Sequence, residues 1–426
     1  MDAVLAEENN DMQRLKAMWA VWLGALIFAA AVPLHAARLV AREDLAATVD
    51  PASPRGTHQE TPAVGLRPDG AVLVWNAPKK GLVARSFDAT GAAKGDEVVL
   101  VANDPAPEAK VFTAELHEQH EPQVVMRSDG SFVMAWTERL VERLLSVYSD
   151  LRKPISSRVL LGRFGADGKA LAPPLEIAAG TNLPSQPALA VDGETTWVAW
   201  QADGTVRARS VDGKGRMGDV VEAGTLGGHP ALAVAGERLV VAWETLSGQD
   251  DKQVSARAFA RGRPSRAAFA LGAVTGSDCT HATVAPAADG TFLVAWECKP
   301  KGAGSATRVY GQRIDGAGKP LGGQLGLSAA DGDANFSPVL AALPEGGFAA
   351  VWMSRIRSGY SPTLVNLDGQ GAVVGAPLAL HSYPGRSGSL DMALAVAPDG
   401  RLAGAWLGFD GKGNIVTYAR VARLEP

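Results

Sequence analysis

Beyond residue 60 the chain alternates short apolar runs with polar turns, and the alternation itself recurs. In each copy two apolar runs of five or six residues flank a turn such as Asp69-Gly70, Asp129-Gly130, Asp289-Gly290 or Asp399-Gly400. Runs of that length bounded by turn residues read as strands, and Asp-Gly tolerates the positive φ of a tight hairpin. The clearest copies are HPALAVAGERLVVAW from His229, QPALAVDGETTWVAW from Gln186 and HATVAPAADGTFLVAW from His281. Weaker copies open at Thr61, Glu121, Ser337 and Asp391. Every copy closes on a tryptophan: Trp75, Trp136, Trp200, Trp243, Trp296, Trp352 and Trp406, spaced 43 to 64 residues apart. That spacing suits one four-stranded sheet per copy and is too long for a leucine-rich repeat.

A second hairpin follows each tryptophan. Its first strand carries an arginine in most copies (Arg85, Arg163, Arg209, Arg257, Arg313, Arg420), with Asn366 at that place in the sixth. The pattern predicts an all-β, seven-bladed β-propeller over residues 43–426. Its blades fall near 61–103, 121–180, 186–225, 229–273, 281–328, 337–382 and 391–426. The last copy ends after its third strand, while EDLAATVDPASP from Glu43 matches the outer strand of the first copy, DEVVLVANDPAP from Asp96. Residues 43–50, centred on Leu45–Val49, are therefore expected to complete the seventh blade and close the ring, which removes two unpaired edges. Repetition makes the tryptophans structural, filling the space between adjacent sheets. The arginines are expected to hydrogen-bond neighbouring carbonyls or carboxylates.

Two segments depart from the repeat. Residues 1–37 contain AMWAVWLGALIFAAAVPLHAA from Ala17 to Ala37, free of Asp, Glu, Lys and Arg and preceded by Arg14 and Lys16. This reads as an apolar helix, either an export signal or an uncleaved signal anchor, and Met12 is an alternative start. It implies an exported protein (periplasmic, cell-surface or secreted) that meets the membrane only through this segment. The other departure is an insertion in blade two, residues 138–158. There Leu140, Val141, Leu144, Leu145, Tyr148 and Leu151 recur at helical spacing, so a helix is expected.

Charge and cysteine content narrow the function. A formal net charge of −4 offers no basic field for nucleic acid. The two cysteines, Cys279 and Cys298, flank the first hairpin of the fifth blade and count to nearly facing positions. In an exported protein this suits a disulfide; free thiols, or a metal site shared with His281, are the alternatives.

The motif D-G-x-x-x-V-A-W followed by Y-x-Q-R-x-D-x-x-G, here DGTFLVAW and VYGQRIDGAGKPLGG, resembles a repeat of bacterial secreted and cell-surface β-propellers. The resemblance covers nearly all of residues 43–426. It implies an extracellular propeller of a family mostly without assigned function, often linked to binding or adhesion, and it brings no catalytic residues. The Asp-Gly turns also resemble the Asp box of sialidases, S-x-D-x-G-x-x-W, but Trp136 stands seven residues after Asp129 rather than five. They are read as hairpin formers.

Candidate chemistry gathers where the innermost strands begin, at one mouth of the channel. The opening residues Thr61, Glu121, Gln186, His229, His281, Ser337 and Asp391 are all polar and form a ring fit for a small ligand or a divalent metal. A solvated rim is the plainer reading. Beside it, His117, Glu118, His120 and Glu121 present metal-ligand types without the helical context of a zinc motif. With no nucleophile motif or phosphate loop, the sequence points to a binding or scaffold module for a protein or glycan partner rather than an enzyme. The alternative is a propeller hydrolase or lyase with a metal or His/carboxylate site at the channel mouth.

Overall fold

The computed structural model describes residues 38–42, 62–67, 69–77, 80–88, 92–105, 113–145, 150–247, 251–272, 276–302, 306–329, 334–356, 359–380, 383–384, 392–409 and 415–425. They form seven antiparallel sheets, six of them built outward in chain order and the seventh closed by an N-terminal strand, and no helix occurs among the described residues. Blade one, for example, runs from Ala63–Arg67 through Gly70–Ala77 and Gly81–Asp88 to the outer strand Ala93–Ala102. The all-β seven-bladed propeller is what the repeat predicts.

The tryptophans explain the ring. All seven are at least 97% buried, and each joins an apolar cluster that spans two or three adjacent blades. Trp136 packs with Val72, Val74 and Leu82 of blade one. Trp243 packs with Ala199, Val206 and Ala208 of blade three. Trp75 of blade one packs with Ala403, Ala405 and Ala419 of blade seven, which closes the circle. A buried aromatic of this size is worth about 3–5 kcal/mol against alanine, so each blade junction carries a large share of the fold's stability.

The arginines stitch the same junctions. Arg209 donates to the Ile177 carbonyl at 3.3 Å and Arg257 to the Glu222 carbonyl at 3.1 Å, each in the outer strand of the preceding blade. Arg420 reaches Leu380 of blade six in the same way, while Arg163 reaches forward to the Asp212 and Gly213 carbonyls. The Asp turns are side-chain turns as well as glycine turns: Asp129 and Asp289 accept the backbone N–H and hydroxyl of Ser131 and Thr291. In the outer hairpin of blade two Asp167-Gly168 is the positive-φ step, but in those of blades three, five and six Asp-Gly is not. That falls to Gly215, Gly318 and Gly371, three residues after Asp212, Asp315 and Asp368. Cys279 and Cys298 pair across their strands as a disulfide with Cα atoms 4.1 Å apart.

Two expectations change. The strand closing blade seven is Arg38–Arg42, which pairs antiparallel with Ile415–Glu425 from Arg38↔Glu425 to Arg42↔Val421. Residues 43–50 lie outside the described residues, as do the apolar segment Ala17–Ala37, Thr61 and Asp391.

The helix expected over 138–158 is instead sheet. The second and third strands of blade two run to Phe132–Leu145 and Asp150–Phe164, and the inner strand lengthens to Thr113–Met126 beside them. The helical reading failed because Thr113–His120 supplies a third strand whose ladder the 138–158 window does not contain. Pro154, inside the window, also disfavours a helix interior. Cross-strand charge locks the extension: Glu138 takes Arg158 and Gln119, both at 3.0 Å, and Glu118 takes Arg152 and lies 3.5 Å from His120.

Burial pushes the Glu118 carboxyl up, but the His120 hydrogen bond and the Arg152 charge outweigh it and hold it below its ordinary 4.5. A depressed carboxyl stabilises above its unfolded value and loses that contribution as pH falls through the folded one. Protection of the extension's backbone amides, taken relative to their intrinsic exchange at each pH, should therefore fall as pH drops below 4.5, and Glu118→Gln should loosen it at neutral pH by about 1 kcal/mol. An unchanged exchange rate in the variant would separate Glu118 from the extension's stability.

A chain beginning at residue 43 leaves the edge of Ile415–Glu425 unpaired and should melt cooperatively at a lower temperature than one beginning at Arg38. Equal melting temperatures would show that this strand does not close the ring.

Candidate functional site

The inner strands enter at the face that carries the connections between blades, and the ring residues sit at that entry. Five of the seven are described, and all five take the left-handed backbone: Glu121 (φ 55°), Gln186 (55°), His229 (49°), His281 (54°) and Ser337 (53°). Left-handed φ is uncommon for non-glycine residues and needs compensation. Here each falls where the inner strand slips register against its neighbour, a bulge that turns its backbone away from the ladder.

The freed N–H is then captured by the preceding blade. Gln186 N–H donates to Glu121 Oε2 at 2.7 Å, His229 N–H to Gln186 Oε1 at 2.8 Å, and His281 N–H to Glu244 Oε1 at 2.8 Å. Ser337 N–H donates to Glu297. Two of these acceptors, Glu244 and Glu297, directly follow the tryptophans of blades four and five. The polar ring is thus also a chain of latches between neighbouring blades. The missed signal was the glutamate after Trp243 and Trp296.

The latch commits the carboxylates. Both oxygens of Glu121 are taken, Oε1 by Arg139 at 2.5 Å and Oε2 by Thr137 and the Gln186 N–H. Both oxygens of Glu297 are taken as well, by Thr280 and His281 on one side and Ser337 on the other.

The imidazoles are held differently. Because the His229 N–H fixes Gln186 Oε1 as acceptor, the Gln186 amide nitrogen must be the donor in its 3.1 Å contact with His229 Nε2. That ring nitrogen therefore accepts, and the proton lies on Nδ1. In His281 the engaged nitrogen is the other one: Nδ1 faces Thr280 Oγ1 at 3.1 Å and Glu297 Oε1 at 3.3 Å, so here too Nδ1 carries the proton and Nε2 the lone pair. The two rings lie 6.5 Å apart on adjacent blades.

The second candidate cluster does not converge. His117 engages Asp104 through Nδ1 at 2.9 Å, His120 faces Glu118, and Glu121 belongs to the latch. The His117 backbone N–H and then its ring hold the Asp104 carboxyl below the usual carboxylate range. Residues 117 and 120 alternate to opposite faces of one strand, so local spacing overstated their proximity. Among the described residues no group of three or more His, Cys, Asp or Glu is arranged to hold a metal, and Cys279 is committed to the disulfide.

No family model matches this chain, so the repeat family suggested by its motifs is not confirmed. No curated protein matches it either. Solved structures do. One is a polysaccharide lyase of family 25, an ulvan lyase bound to -[GlcA(1-4)Rha3S]-, with a TM-score of 0.55 at 9% identity over 91% of this chain and 96% of that one. A protein of unknown function from Dyadobacter fermentans gives 0.53 at 10% identity, covering 92% of this chain and 100% of that one. An α-L-arabinofuranosidase of Fusarium graminearum in complex with arabinobiose gives 0.47 at 15% identity, over 72% and 93%. Likeness at these identities shows the propeller fold. It also corrects the expectation of a binding scaffold rather than an enzyme, because a polysaccharide lyase matches this propeller over nearly its whole length, which favours the hydrolase-or-lyase alternative.

Proposed function

We propose that this propeller is a glycan-processing enzyme that works at the latched channel mouth, and that its chemistry is elimination from a uronate-containing polysaccharide. The observation that carries the reading is the His229–His281 pair: two imidazoles 6.5 Å apart, both protonated on Nδ1, one held through Nε2 and the other through Nδ1. His281, oriented by Glu297, offers Nε2 as the base that removes the proton α to the uronate carboxylate. His229 offers Nδ1–H to the departing glycosidic oxygen. The C–H and C–O bonds break, a ring C=C forms, and one proton moves to each of the base and the leaving group.

A hydrolase reading needs two carboxyl groups, one of them a proton donor. Glu121 and Glu297 have both oxygens occupied by the latches, which favours the imidazole pair. The match to a lyase with a glucuronate ligand supports the same substrate class. The apolar segment Ala17–Ala37 supports placing this activity outside the cytoplasm, where polysaccharides are met.

Purified protein incubated with ulvan and other uronate polysaccharides should release unsaturated ends, read by their ultraviolet absorbance. His281→Ala and His229→Ala should each lower that rate by about 10²–10⁴-fold while the melting temperature holds. New reducing ends without the ultraviolet signal would replace lyase with hydrolase. Full activity in the double variant, or none in the parent on any uronate polymer, would overturn the reading.

A further inference from the structure

The opposite face of the propeller carries a cleft of about 390 Å³ between blades one and two. Its walls come from the hairpin turns: Asp69 between the first two strands of blade one, Lys94 and Asp96 at the start of its outer strand, and Asp167 in the outer turn of blade two. Because the strands alternate in direction, these turns lie at the end of the sheets remote from His229 and His281.

Arg67 sets the character of the cleft. Its side chain is only 5% exposed, yet its carboxylate neighbour Asp69 stands 3.7 Å from Nε. Nε has no hydrogen-bond partner among the described residues. Nη1 donates to the Ala166 carbonyl at 3.0 Å, which holds the guanidinium in place without neutralising it. Asp69 is drawn off by Lys94 at 2.8 Å, and Asp167 pairs with Lys169 at 3.2 Å. A buried guanidinium whose Nε makes no hydrogen bond and whose neighbouring carboxylate is shared with Lys94 is costly to maintain, and an anionic ligand group relieves that cost. Val72, Ala84 and Phe132 add an apolar floor, while Ser86 and Asp96 add a hydroxyl and a carboxylate.

We infer that this cleft is a second glycan site that holds one uronate-bearing sugar unit. Arg67 takes the carboxylate, Asp96 and Ser86 take ring hydroxyls, and the apolar floor meets the sugar's C–H face. The inference rests on the proposed glycan substrate and deepens it: a polymer is gripped at one end of the propeller and cut at the other.

Affinity electrophoresis through gels containing ulvan tests it, with Ser86→Phe to fill the cleft and the exposed Asp96→Ala as a milder change. Both should weaken retention of the polymer by about tenfold, the loss expected for charge-assisted and hydroxyl contacts. Cleavage of a short uronate oligosaccharide should be unaffected. Carboxyl-reduced polymer should bind the parent as weakly as ulvan binds Ser86→Phe. Parent-like retention of both variants, or undiminished binding of the carboxyl-reduced polymer, overturns the cleft while leaving the catalytic reading intact. A His229→Ala/His281→Ala protein that is still retained but inert supports two separate sites. A parent protein that neither binds nor cleaves any uronate polymer overturns both readings.

Discussion

The burial of one tryptophan from each blade against the sheet before it organises everything else in this molecule. A single four-stranded sheet has two apolar faces and cannot hide them alone. Trp136 set into Val72 and Val74, or Trp75 into the alanines of blade seven, solves this for one face of each blade and passes the other to the next. Small partners such as Ala199, Ala403 and Ala405 let neighbouring sheets approach closely enough to enclose the indole. Once that packing repeats seven times the ring must close, and the pairing of Arg38–Arg42 with the last strand covers the final edge.

Close packing brings the blade entrances together, and the latches exploit it. In blades three to six a left-handed residue at the head of the inner strand turns its N–H outward, and a side chain of the previous blade receives it. The same residues supply the chemistry of the mouth. Gln186 serves His229 twice, at its backbone and at its ring, and Glu297 serves both Ser337 and His281. Imidazole orientation and blade assembly therefore share atoms, which is how the repeat presents two imidazoles with defined tautomers.

The two ends of the propeller differ for a topological reason. Blade-to-blade connections end on the face of the latches, where blade two rises in a three-stranded extension laced by Glu118, Glu138, Arg152 and Arg158. Hairpin turns end on the other face, where Arg67 lies under a cleft. One face thus carries the imidazole pair and the other the cleft.

The blade count, the buried tryptophans, the crossing arginines and the facing cysteines were legible in the chain because each depends on period and local alternation. Identical copies make the same contacts, so one copy predicts the rest. Non-local partners were not legible. Leu140, Leu144 and Leu151 mimic a helix until Thr113–His120 lies beside them, and His117 and His120 look like neighbours until a strand sends them to opposite faces. Likewise, nothing near His281 in sequence announces that Glu297 will orient it, or that Glu244 will take its N–H. The sequence by itself determined a closed set of seven sheets, because burial of a repeated apolar pattern depends on composition and spacing. Only the tertiary structure decided which polar groups meet at the mouth and in the cleft, because those partners come from neighbouring strands or adjacent blades some 15 to 100 residues apart in the chain.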